Sequence, residues 1–199
     1  MRTDKKFIES IRFQGGTYHL LSYHQQRVNR TFQQFFPEKS PLNLEEILPA
    51  LSYDDRCKVR VVYGENTLDV AYALYQPRPI HSIQLVTHDA IAYGYKYADR
   101  DELTSIFQQR KQCDDIIIVK NDQVTDSYYA NIALFDGLEW ITPESCLLPG
   151  VKRQSLIDQH ILRKKKVTIR DLQQFQSISL INAMLDLGEI QLPISKIHF

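Results

Sequence analysis

Apolar and polar positions alternate from near the start of the chain. Phe7, Ile8, Ile11 and Phe13 are set against Glu9, Ser10 and Arg12, the pattern of a half-buried strand. Gln14-Gly15-Gly16-Thr17 is a turn signal, and Tyr18 to Leu21 can return as the second strand of a hairpin. From about Ser22 to Phe36 the period lengthens to that of a helix, with Val28, Phe32 and Phe35 on one stripe, and Pro37 stops it. Asn43 and Glu46 are spaced as a capping box for a short helix carrying Leu44, Ile47, Leu48 and Leu51. Two strands follow, 59–63 and 68–75, around the turn Gly64-Glu65-Asn66.

Gln76-Pro77-Arg78-Pro79 is a Pro-dense break that favours an extended connector. It divides the chain into a small N-terminal lobe, 1–76, and a larger C-terminal lobe, 77–199. In the second lobe the pattern predicts a strand over 83–88. A helix over 99–113 follows, opened by Asp99 and Glu102 as a capping box, with Leu103, Ile106 and Phe107 inward. Asp115 to Val119 is a continuous apolar run that reads as a central strand. Asn121-Asp122 turns the chain, a strand spans 130–135, and Asp136-Gly137 makes a hairpin into 138–142. Pro149-Gly150 opens a helix to about Leu162. A short strand over 166–169, a brief helix capped by Asp171 and a strand over 177–182 complete the order. Hairpins and single helices without regular βαβ alternation read as α+β.

Composition narrows the function classes. The 199 residues are 43% hydrophobic and 24% charged, an ordinary globular balance. Lys+Arg and Asp+Glu both count 24, so the net charge is zero and nucleic acid is not an expected partner. No apolar run approaches the roughly 18–20 residues of a membrane span, and no signal peptide follows the charged N-terminus. A cytoplasmic protein with no membrane contact is expected. Cys57, Cys113 and Cys146 are dispersed, without CxxC, and the six histidines show no metal spacing, so neither a disulfide framework nor a metal site is expected. There is no Walker loop, dinucleotide fingerprint, HExxH or GxSxG.

Three places carry candidate chemistry. Tyr93-Gly94-Tyr95-Lys96-Tyr97 sets a lysine among aromatics, where a destabilised ammonium becomes a reactive amine; a solvated loop lysine is the plainer reading. Leu148-Pro149-Gly150-Val151-Lys152 leads into a helix whose first N–H groups form a ready phosphate site, or it is simply a helix entry. Val124-Thr125-Asp126 through Asn131 places a carboxylate and an amide at the mouth of a central strand, or is an ordinary turn.

Their order along the chain is more specific than any one of them. Phe7-Ile8-Glu9-Ser10-Ile11-Arg12 resembles an F-E-T-I-R strand, His24-Gln25-Gln26-Arg27-Val28 an H-x-x-R-L helix, and Leu148-Pro149-Gly150-Val151-Lys152-Arg153 an L-P-G-I-T-R turn, with Lys96 between them. Together, over about Phe7 to Ile190, they resemble the class IV aminotransferase family, the fold-type IV pyridoxal phosphate enzymes. The resemblance implies a two-lobed α+β fold like that of D-amino-acid aminotransferase, with a small N-terminal lobe and a larger mixed-sheet lobe carrying the cofactor lysine.

It also implies roles. Lys96 is the catalytic residue and holds pyridoxal 5'-phosphate as a Schiff base. Asp126 stands where the family has a glutamate that pairs with the pyridine nitrogen. Arg27 binds the phosphate through its guanidinium, and Gly150, Val151 and Lys152 lie at a helix start whose N–H groups serve the same phosphate. The Lys152 cation, in place of a threonine, adds to that site. Leu148 packs on the ring, and Asn182 sits near the phosphate. Arg100 is a substrate candidate: with Asn182-Ala183-Met184 it resembles the 4-amino-4-deoxychorismate lyase branch, which yields 4-aminobenzoate, a folate precursor, and pyruvate. The alternatives are an aminotransferase for branched-chain or D-amino acids and a catalytically degenerate member. The family's usual opening strand and R-G-x-x-x-G-D-G loop have no counterpart before Phe7. A homodimer acting on a small molecule, an amino acid or aminodeoxychorismate, is implied.

Overall fold

The computed structural model describes residues 5–52 and 54–199. The chain divides into two units. One runs to Gln76 and includes Tyr95–Asp99; the other comprises Pro77–Gly94 and Arg100–Phe199.

The first unit is built on an antiparallel four-stranded sheet of β1 (Phe7–Gln14), β2 (Thr17–Tyr18), β3 (Cys57–Tyr63) and β4 (Leu68–Leu74), in the order β2-β1-β3-β4. The return strand after the Gly15-Gly16 turn is only two residues long. The chain enters α1 (Leu21–Phe35) directly through Leu20, which takes a left-handed conformation at φ 55°. α1 buries His24, Arg27, Val28, Thr31 and Phe32, the i, i+3, i+4, i+7, i+8 stripe of a helix face. Phe32 and Val28 join Phe7, Ile11, Val61 and Tyr63 of the sheet in one core. Asn43 caps the short α2 (Leu44–Ile47) by accepting from the Glu45 N–H at 3.1 Å, and its amide donates to the Glu46 carboxylate at 2.8 Å.

Tyr95–Asp99 runs along the start of β1. Ile8 N–H donates to the Lys96 carbonyl (2.9 Å), Ala98 N–H to the Lys6 carbonyl (2.8 Å), and Phe7 bridges Tyr97. Lys96 therefore groups with the smaller unit, against its expected place in the larger lobe. The same pairing explains a second difference. With 96–98 extended along β1, the helix does not begin at Asp99. α3 (Asp101–Gln108) starts after Arg100 and is shorter than the periodicity predicts.

The second unit holds a nine-stranded mixed sheet. Its strands are β5 (Ile83–Thr87), β6 (Asp115–Lys120), β7 (Gln123–Ser127), β8 (Asn131–Phe135), β9 (Trp140–Pro143), β10 (Leu162–Lys165), β11 (Ser177–Ile181), β12 (Gln191–Pro193) and β13 (Ile197–His198). The main path is β10-β9-β8-β7-β6-β5-β13; β11 pairs with both β8 and β12. β6 is central, as its apolar run implies. Asn121 and Asp122, at φ 49° and 62°, form the two-residue turn from β6 to β7. α4 (Val151–Asp158) ends earlier than predicted. His160 adopts φ 58°, its N–H reaches the Ile157 carbonyl, and the Ile161 N–H reaches the Leu156 carbonyl, a Schellman cap without glycine. The strand expected at 166–169 consequently forms at Leu162–Lys165, parallel to β9. Arg170–Gln174 is a 3-10 helix, with Asp171 inside it accepting from the Thr168 N–H and hydroxyl, both at 2.8 Å.

Candidate functional site

In the first unit, one buried carboxylate organises the site candidates. Odd-numbered positions of β1 face the core, and Glu9 occupies such a position between Phe7 and Ile11, fully buried. Arg27 grips it side-on: Nε donates to Oε1 at 2.8 Å and Nη2 to Oε2. His24 Nδ1 lies 2.5 Å from Oε2. Burial alone would raise the Glu9 pKa; the Arg27 charge and the bonds from Arg27 and His24 outweigh it and hold it at about 2. Burial, Arg27 and Lys96 push His24 below its usual value, against the Glu9 contact. Arg27, predicted from sequence, thus sits with Glu9, His24 and Lys96 in this unit. Glu9 and His24 carry no assigned role in the sequence reading. The signal for both is periodicity: an acid on the inward face of a strand and a histidine on the apolar stripe of a helix.

In the second unit, Asp126 and Asn131 face each other across β7 and β8. The turn between them is closed by the Ser127 N–H to the Ala130 carbonyl (2.9 Å) and the Ala130 N–H to Ser127 Oγ (3.1 Å). Asn131 Nδ2 donates to Asp126 Oδ1 and to the Leu148 carbonyl, both at 2.8 Å, and the Leu148 N–H donates to Asp126 Oδ2 at 2.9 Å. Asp126 is buried. Desolvation raises its pKa to about 6 although the Leu148 and Asn131 donors and the Arg153 charge oppose it. Asn131 is the residue sequence reasoning left unassigned; its pairing with Asp126 follows from the turn between β7 and β8.

Leu148 leads through Pro149 and Gly150 into α4. Gly150, the N-cap, makes no side-chain cap, so the first-turn N–H groups of Val151 and Lys152 are left to a ligand or water. Buried Arg153 anchors this turn, donating to Thr142 Oγ1 at 3.0 Å and to the Pro143 carbonyl at 2.8 Å. The Lys152 ammonium, at the same helix start, pairs with Asp186 at 2.5 Å. Asn182 accepts from the Met184 and Leu185 N–H groups (2.8 and 3.1 Å) and donates to the Tyr129 carbonyl (3.2 Å). Its amide shapes the turn after β11. Arg100 donates to the Tyr128 carbonyl at 2.5 Å and lies over the Tyr128 ring, 4.5 Å from its centre. Among the described residues no group of three or more metal-ligating side chains occurs, and no helix is long and apolar enough to cross a membrane.

The known family that fits this arrangement is Amino-transferase class IV, which matches residues 6–192. The chain belongs to the class IV amino-transferase family. A Haemophilus influenzae relative with no functional name is 30% identical over 180 residues, 88% of this chain and 96% of its own. The crystal structure of a candidate 4-amino-4-deoxychorismate lyase from Haemophilus somnus matches with a TM-score of 0.87 at 29% identity, covering 94% of this chain and 100% of that one. Less similar solved structures show the same fold. A candidate amino-acid aminotransferase from Mesorhizobium loti matches at TM-score 0.80 and 19% identity, over 98% and 100% of the two chains. The PLP-bound form of a hypothetical aminotransferase from Mycobacterium tuberculosis matches at 0.75 and 18%, over 98% and 82%.

Proposed function

We propose that this class IV protein is a pyridoxal-phosphate enzyme of the 4-amino-4-deoxychorismate lyase type, with Lys96 as its catalytic residue. The observation that carries the cofactor reading is Asp126. It is an enclosed carboxylate pinned by two N–H donors and still able to accept a third bond, which suits a cationic ring nitrogen. A guanidinium held by Glu9 and an uncapped helix start suit a phosphate.

When bound, the cofactor supplies an electron sink for the bond broken at the substrate α-carbon. The chain's residues do the rest. Lys96 would hold the cofactor through its amine and would move the proton at the substrate α-carbon. Asp126 holds a proton on the ring nitrogen. By the family resemblance, Arg27 of the first unit and the N–H groups of Val151 and Lys152 of the second would serve the phosphate, and Leu148 would serve the ring.

Two features favour lyase over transferase by their resemblance to the lyase branch: Arg100, four residues after Lys96, and Asn182-Ala183-Met184. The 29% identity to the Haemophilus somnus protein supports the same choice. The place of such an enzyme is folate biosynthesis in the cytoplasm. Incubation with aminodeoxychorismate tests it: release of 4-aminobenzoate and pyruvate without any added 2-oxo acid is expected. Turnover only when an amino acid and a 2-oxo acid are both supplied would make the protein an aminotransferase, and no turnover with either a degenerate member.

A homodimer belongs to the same reading. Edge strand β4 exposes Leu68, Tyr72 and Leu74 on one face, an apolar row that association of two copies would remove from water. A monomeric sedimentation profile at micromolar concentration would contradict it.

A further inference from the structure

His24 is a buried histidine with one ring nitrogen committed and the other not. Nδ1 meets the Glu9 carboxylate, which stays ionised and accepts from it, so the neutral ring carries its hydrogen on Nδ1. Nε2 is then a bare acceptor. It is buried and has no hydrogen-bond partner among the described residues. Leaving a buried polar atom unmatched is costly, and such atoms in folded proteins call for an explanation.

We propose that His24 takes up a proton at Nε2 when the cofactor's phosphate binds at Arg27, so that anion binding and imidazolium formation are one linked event. This rests on the cofactor reading above.

The geometry supports it through a shared partner. His24 and Arg27 are three residues apart on α1 and hold the same Glu9 carboxylate. Glu9 and Arg27 cancel each other's charge. Glu9 accepts from Nε and Nη2 of the guanidinium, which carries five N–H donors in all. A phosphate dianion held by Arg27 would add two negative charges to the cluster that His24 belongs to. The groups that face His24 are few. Glu9 comes from β1, Arg27 from its own helix and Lys96 from the 95–99 segment; Tyr63 on β3 shares the cluster and is held neutral, since burial pushes its phenol upward. Without an anion, burial and the two cations favour the neutral ring, against the Glu9 contact. With the dianion the sign of the local field reverses, Glu9 is too acidic to take the proton, and the unpartnered Nε2 is the basic site that remains. The proton comes from solvent, and no bond other than N–H forms.

The test uses the full chain with pyridoxine 5'-phosphate, which carries the phosphate and ring but has no aldehyde to react with Lys96. Ring 15N NMR follows His24, its signal identified by loss in His24→Gln, while fluorescence follows binding. The expected result is a titration midpoint raised by at least about one pH unit when the ligand is saturating. Affinity should weaken by up to about tenfold per pH unit above neutrality, and less steeply in His24→Gln. Saturable binding with an unchanged His24 midpoint would overturn the inference and leave the cofactor reading standing. Absence of saturable binding would overturn both. If His24→Gln fails to fold, replacing the five other histidines in turn identifies the His24 signal by elimination in chains that keep His24.

Discussion

A side chain on Gly150 would collide with Asn131: a Cβ there would lie 1.9 Å from Asn131 Oδ1. The φ of Gly150 is −70°, a value any residue can adopt, so the glycine is required by close approach and not by backbone strain. Asn131 in turn ties Asp126 to the Leu148 carbonyl. Gly150→Ala is therefore expected to push Asn131 off Asp126 and to weaken pyridoxine 5'-phosphate binding by about tenfold or more, a loss of at least about 1.4 kcal/mol. A titration of ligand fluorescence checks this; an unchanged Kd would mean that Asn131 can move aside without disturbing Asp126.

Glu9 is expected to matter for folding as well as for binding. Glu9→Gln removes the charge that compensates Arg27, and breaking a buried ion pair from one side costs about 3–5 kcal/mol. Replacing both partners, Glu9→Gln with Arg27→Met, removes the uncompensated cation. Urea unfolding should therefore find the double variant more stable than Glu9→Gln alone. A double variant that loses the sum of the two single losses would contradict this.

Asp115, at the start of β6, gives a pH-dependent prediction away from the site candidates. It is fully buried, one oxygen accepts the Ile116 N–H at 2.8 Å, and the other has no hydrogen-bond partner among the described residues. Desolvation raises its pKa from 3.8 to about 6. The folded state then binds this proton more tightly than the unfolded state. Its contribution to stability is fully present below about pH 4 and lost as pH rises through about 6, a change on the order of 3 kcal/mol. Asp115→Asn should gain stability relative to the native chain as pH rises from 5 to 8, measured by the difference in thermal midpoints. A difference that does not change with pH would show that the carboxyl titrates normally.

Periodicity made much of this legible. β1, α1 and the central β6 announce themselves by apolar spacing, and the turns at Asn121-Asp122 and Asp136-Gly137 by residue type. What the sequence hid is non-local. The Asp99–Glu102 spacing is a proper capping box, yet the preceding residues are committed to β1, so the helix starts later. The end of α4 is set by His160 in a left-handed conformation that usually signals glycine. Lys152 reads as a spare cation until Asp186, far along the chain, is placed beside it. Among the site candidates, Arg27 and Asp126 came from the resemblance to the family's motifs. Glu9 became visible as the partner of Arg27 once strand facing was known, and Asn131, already noted as an amide near Asp126, as the partner of Asp126 once the β7–β8 turn was known.

The central claim is that Lys96 carries pyridoxal 5'-phosphate. The direct test is the absorbance spectrum of the purified protein with the cofactor added, before and after borohydride, followed by peptide mapping of the reduced adduct. The account predicts a yellow band that borohydride bleaches, with the label on Lys96 and lost in Lys96→Ala. No band, label scattered over surface lysines, or a band that survives in Lys96→Ala would contradict it.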